Sequence, residues 1–142
     1  TGRMGSYINA IANNIRKLVD RVEAMHPSAS LRFAFIGYRD FSDSVPMVLL
    51  PFTSLKDFRS TVEKEEAYGG GDDAEDMIGA LHEASTLPWS SATRILYLIG
   101  DAPCHGSEFH DEKCTDFFPE GDPHGLNIGD ILKQLRADNV QM

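Results

Sequence analysis

Thr93-Arg-Ile-Leu-Tyr-Leu-Ile-Gly100-Asp101-Ala-Pro-Cys-His-Gly106 is the stretch whose reading decides the fold. Its core, Ile95 to Ile99, is a continuous apolar run stopped by Gly100. Such a run, without polar alternation, predicts a strand covered on both faces, as in a parallel sheet flanked by helices. Asp101 then stands just past the carboxyl end of that strand. Open α/β sheets bind ligands at this edge, because neighbouring loops diverge there and leave a crevice. A carboxylate so placed is a candidate metal ligand or catalytic group; alternatively, it caps the turn that follows.

Upstream, Ile8, Ile11, Ile15, Leu18, Val22 and Met25 recur at steps of three and four, the stripe of an amphipathic helix. His26-Pro27 ends it, since proline disfavours helical geometry in the residue before it. Leu31 to Tyr38 reads as a strand, with Arg39 and Asp40 at its carboxyl end. A turn, Phe41 to Pro46, leads to a second strand, Met47 to Phe52, in which Pro51 points to an edge position. This hairpin predicts one antiparallel strand beside the parallel ones. Ser54 opens a short helix, with Asp57 as capping partner and Leu55, Phe58 and Val62 as its buried face. Tyr68-Gly-Gly-Gly-Asp-Asp-Ala-Glu-Asp76 comes next. Its glycines allow a tight turn and close approach to a ligand, and its carboxylates suit a helix start. Met77, Ile78, Leu81 and Ala84 carry the next helix as far as Leu87-Pro88. Trp89 reads as packing and His82 as a surface or boundary residue.

Downstream, Ala102 to about Gly125 is a long irregular loop of the kind that is usually functional or mobile. Leu126 to Ala137 forms a last helix on Ile128, Ile131, Leu132 and Leu135, and Asn139 to Met142 looks like the entry to a further strand. The order of elements predicts a layered α/β fold.

The chain of 142 residues fits one domain, residues 1–142, large enough to bury a core. A formal net charge of −9 argues against nucleic acid and anionic membranes and favours cationic partners, metal ions included. The two cysteines, Cys104 and Cys114, are too few for a disulfide scaffold, which favours a reducing, cytoplasmic setting, though one local bridge stays open. No apolar run approaches the ~18 residues of a membrane span. The opening on Thr1 and the pattern at both ends predict a fragment lacking a first strand and a last strand or helix.

Taken together, the runs 1–8, 37–40, 69–76 and 101–106 resemble a von Willebrand factor type A domain, most of all the version attached to α-type protein kinases. The likeness implies a doubly wound, mostly parallel sheet with one antiparallel edge strand, in a three-layer sandwich truncated at both ends. It also implies a metal-ion-dependent adhesion site at the carboxyl edge. On that pattern Thr1, Asp72 and Asp101 fall on metal-ligand positions, and hard oxygen donors from separate loops suit Mg²⁺. The family's leading Asp would precede Thr1 by two residues, and Arg3 stands where a second Ser is expected. A guanidinium cannot ligate a cation. In the alternative, Arg3 pairs with Asp72 or Asp101 and the site is metal-free. An open coordination position would accept a carboxylate from a protein partner, with Arg3, Asp40, His105 and His110 as partner-binding candidates.

Cys104, His105, His110, Cys114 and His124 share the long loop, but their spacing matches no common zinc pattern, so Zn²⁺ is not expected. The enzyme reading is a metal-dependent hydrolase using Asp101, Asp40, His105 and His110. It lacks a Gly-x-Ser-x-Gly nucleophile, and the triple glycine lacks the lysine of a phosphate loop. The sequence therefore predicts a non-catalytic binding module, any kinase activity lying in another domain. A scaffold domain without a ligand of its own is the remaining alternative.

Overall fold

Aromatic and β-branched residues from Phe33 to Tyr38 form strand β1, which pairs antiparallel with β2, Met47–Thr53. The computed structural model describes residues 5–142, and of residues 5–9, 11 and 12 the backbone alone. Before the hairpin comes helix α1, Gly5–Met25; after it come α2, Leu55–Val62, and α3, Met77–Thr86. The chain closes with β3, Arg94–Ile95, α4, Ile128–Ala137, and β4, Val140–Gln141, which lies parallel to β3. The architecture is thus mixed α/β, with two two-stranded sheets among the described residues. No helix among them is long and apolar enough to cross a membrane.

The hairpin forms where expected, and β2 has no second neighbour among the described residues. Its register slips between Phe33 and Phe35, opposite Pro51 and Phe52. Proline removes a ladder donor, so a bulge on an outer strand is where it is tolerated. Helix starts follow side-chain chemistry. The Asp57 amide donates to Ser54 Oγ at 3.3 Å, the Gly79 amide to Asp76 Oδ1 at 2.8 Å, and the Asp130 amide to Asn127 Oδ1 at 3.1 Å. After α4, Asn139 takes the left-handed conformation (φ 55°) that turns the chain sharply into β4.

One core lies between α3, α4 and the start of the long loop: Ile78, Leu81, Cys104, Ile131, Leu135 and Val140. Trp89 packs against it, donates to Ala84 O at 2.8 Å and meets Phe52 edge-on. A second cluster sets Phe58 of α2 against Phe33 and Phe35 of β1.

The expected buried strand Ile95–Ile99 does not form as such. Only Arg94 and Ile95 join a ladder, and Ile95, Tyr97, Leu98 and Ile99 are 48%, 66%, 45% and 44% exposed. A parallel strand buries its side chains only where both faces of its sheet are covered. Here the segment borders an apolar cleft of about 890 Å³, shared with β1 and α1. The buried face of α1 is shifted: Val19 is buried, while Leu18, which borders the cleft, and Met25 are exposed. The side chains of Ile8 and Ile11 lie outside the described residues.

Leu135 is fully buried at the centre of the larger core. Leu135→Ala is expected to cost about 2–5 kcal/mol in urea unfolding. A loss below about 1 kcal/mol would show that this core does not hold the domain together.

Candidate functional site

Past Tyr38 the chain turns inward. The Arg39 guanidinium donates to Val45 O at 3.2 Å, Glu65 Oε2 at 3.2 Å and Glu66 O at 3.0 Å, and lies 4.0 Å over the Tyr68 ring. It therefore ties the hairpin turn to the stem of the glycine loop. Gly69 and Gly70 have φ of 105° and 123°, and a Cβ on Gly69 would run into the Asp43 carboxylate. Only glycine fits there. Beyond it the loop lies alongside the long loop. The Asp73 amide donates to Thr115 O at 2.9 Å, Thr115 Oγ1 to Asp73 Oδ2 at 2.8 Å, and the Glu75 amide to Pro103 O at 3.0 Å.

At this junction His105 lies between two carboxylates. Its Nε2 is 2.8 Å from Asp40 Oδ1 and its Nδ1 is 2.7 Å from Asp116 Oδ1. Ionised carboxylates only accept, so both ring nitrogens donate and the ring is an imidazolium. Burial works against that charge. The hydrogen bonds from Asp116 and Asp40 outweigh it and raise the His105 pKa. Phe41 stacks on the ring, centroids 5.2 Å apart, and Phe118 meets it edge-on at 5.1 Å, so water is kept out. Asp116 is saturated: Oδ1 also accepts from the Phe118 amide at 2.7 Å, while Oδ2 accepts from the Gly106 amide and from His110 Nε2, each at 2.8 Å. Burial would raise its pKa, but the bonds from His105, His110 and the two amides hold it far below the carboxylate range. Its contact with Asp116 likewise raises the His110 pKa. Asp40 Oδ2 accepts from Ser42 Oγ at 2.9 Å.

Asp72 differs. Its Oδ2 accepts from the Phe117 amide at 2.6 Å, but its buried Oδ1 has no hydrogen-bond partner among the described residues. Burial raises its pKa, and the Phe117 amide only partly offsets this. A bare, buried carboxylate oxygen suits either a proton or a cation. Ligand atoms of Asp72, His105 and Asp116 lie within 4.8 Å of one another, so this group could hold a metal ion. For His105 to ligate, the ion must displace its proton and compete with the four bonds on Asp116. Asp40 would then orient the ring from behind, as carboxylates do for metal-bound histidines. Asp72 Oδ1 needs no such rearrangement.

The positions expected from sequence do not all meet. Asp72, His105 and His110 do converge, through Asp116. Asp101 is an exposed rim residue outside that group; after burial and Glu75, its charge helps push the Tyr38 hydroxyl up to about 12. Thr1 and Arg3, with the expected Arg3 pairing, lie outside the described residues. Asp40 and His105 were expected to face a partner. At 1% and 2% exposure they are internal and act by holding the loop, while His110 remains at its edge. Both cysteines are free thiols; Cys104 is in the core and Cys114 is half-buried near the surface. Asp116 was not foreseen. It sits in a loop without periodicity, and only the two phenylalanines after it, apolar residues amid polar ones, hint at burial.

No protein-family model matches the chain, and no solved structure matches it. Over 143 aligned residues, 99% of this chain, it is 34% identical to the Alpha-protein kinase vwkA of Dictyostelium discoideum. The chain spans 23% of that protein's length.

The pH dependence follows from the His105 ring. A raised folded pKa contributes stability that is fully present below the unfolded histidine value, about 6.5, and is lost as pH rises through the folded value. His105→Gln is expected to cost about 3–5 kcal/mol near pH 6, since it strands two buried carboxylates. Guanidinium unfolding of both proteins should show that gap narrowing as the pH rises above the unfolded histidine value of about 6.5. A constant gap would mean that His105 is neutral.

Proposed function

We propose that the chain is a non-catalytic, protein-binding domain of the von Willebrand factor type A kind, doubly wound and carried within a larger polypeptide. Its partner docks on the rim formed by Asp72, Asp101 and the loop after it, with His110 at the edge. The bare Oδ1 of Asp72, buried where two loops meet, carries the reading. It is the one carboxylate oxygen of the His105 cluster placed to take a cation without breaking a bond already made. Thr1, Asp72 and Asp101 would hold Mg²⁺, which keeps water and leaves a position for a partner's carboxylate. The likeness to a kinase-named protein more than four times as long supports a role as one part of a larger chain. A hydrolase is disfavoured by His105: both nitrogens are engaged by carboxylates and the ring is buried, so it offers no lone pair to a substrate or water.

Thermal melts with added Mg²⁺ test this. A ligand bound only by the folded state at about 100 times its Kd stabilises by about 2.7 kcal/mol. The melting temperature is expected to rise with Mg²⁺ in the unaltered protein and to stay fixed in Asp72→Asn and Asp101→Asn. No rise at millimolar Mg²⁺ would leave the rim metal-free and favour a scaffold role.

A further inference from the structure

Asp116 is the meeting point of two histidines. His105 Nδ1 lies 2.7 Å from its Oδ1, and His110 Nε2 lies 2.8 Å from its Oδ2. The other nitrogen of each ring also faces an acceptor: His105 Nε2 the Asp40 carboxylate at 2.8 Å, His110 Nδ1 the Asp111 carbonyl at 3.1 Å. A ring between two acceptors donates from both nitrogens, so each carries a full positive charge. Two such rings bring to one carboxylate the charge of a single divalent ion. Asp72 stands beside them, 9% exposed, with its Oδ1 buried and without a hydrogen-bond partner among the described residues. A carboxylate oxygen of Asp72 lies within 4.8 Å of the ligand atoms of His105 and Asp116. Two ring protons satisfy Asp116 but leave Asp72 Oδ1 bare, whereas one ion between the loops satisfies both.

We propose that Asp72, His105 and Asp116, with His110 closing in from the edge of the loop, form a site for one transition ion of the Zn²⁺ class. As the ion enters, each ring gives up to solvent the proton on the nitrogen facing Asp116, so two positive charges leave and two arrive. Two imidazoles with two carboxylates suit such an ion better than Mg²⁺ or Ca²⁺, which prefer oxygen alone. Supporting contacts are in place. Asp40 holds the far nitrogen of His105, the arrangement that orients metal-bound histidines. The Phe117 amide holds Asp72, and the Gly106 and Phe118 amides hold Asp116. Tetrahedral bonds of about 2.1 Å set neighbouring donors roughly 3.4 Å apart, so the contacts to Asp116 need to open by only about 0.6–0.7 Å. Cysteine and histidine spacing alone offers no zinc pattern; here half of the donors are carboxylates, one of them from the glycine loop. The site leaves out Thr1 and Asp101 and does not rest on the Mg²⁺ reading. Both ions draw on Asp72, so they are alternatives at that residue.

Co²⁺, a coloured stand-in for Zn²⁺, is the probe. Titrated into the protein near pH 6, it is expected to bind one ion per chain, with the visible band of four-coordinate nitrogen and oxygen ligation, and to be displaced by Zn²⁺. Calorimetry in two buffers of different ionisation enthalpy should count about two protons released per ion. His110→Ala is expected to weaken binding at least about tenfold, while its Mg²⁺ response in thermal melts stays that of the unaltered protein. Asp40→Asn, which keeps an oxygen on the ring but removes the charge behind it, should cost about 10–100-fold. The proposal is overturned if neither Co²⁺ nor Zn²⁺ binds stoichiometrically, or if His110→Ala and Asp40→Asn both bind as tightly as the unaltered protein. Binding that disappears in Cys114→Ser would equally overturn it, because a thiol would then be the ligand. Co²⁺ binding without any response to Mg²⁺ would sink the rim reading alone, and the converse would sink this site alone.

Discussion

The functional end of this molecule depends on one buried cation held between two buried anions. His105 joins Asp40, just past the carboxyl end of β1, to Asp116, in the middle of a loop that has no sheet or helix of its own. Charges in such a dry setting attract strongly, but each has lost its water. The arrangement is tenable because the remaining carboxylate lone pairs are also filled: Asp116 by two amides and His110, Asp40 by Ser42. Phe41 and Phe118 close the compartment.

The same logic accounts for part of the acidic composition. In the long loop, carboxylates stand in for the absent ladder by accepting from backbone amides. Asp73 receives Thr115, Asp72 receives Phe117, and Asp122 receives His124 and Leu126. A strongly negative sequence usually suggests a solvated surface. Here part of that charge organises irregular backbone that would otherwise leave donors unpaired.

Regular elements were legible because their signals are local. Periodicity placed α1 to α4 closely, Pro51 marked the outer strand, and Ser54 marked a cap. The run Ile95–Ile99 misled because apolar content states how a segment would be buried, whereas actual burial needs cover on both faces. At the site, Asp72 and His105 stood out by glycine context and chemistry. Their hub, Asp116, did not, because its role comes through His105, 11 residues away, which in turn reaches 65 residues back to Asp40. Asp40 illustrates the converse: its place at a strand end was read correctly, but side-chain direction was not readable, and it points inward.

Cys104 shares this enclosure. It follows Pro103, whose carbonyl receives the Glu75 amide, and immediately precedes His105, with its thiol sealed in the core and its pKa raised by burial. A protonated, covered sulfur is a poor nucleophile. Its alkylation must wait for the loop to lift away from α3, so the speed of that chemistry measures how often the enclosure breathes. The protein thus carries an internal clock for its own opening.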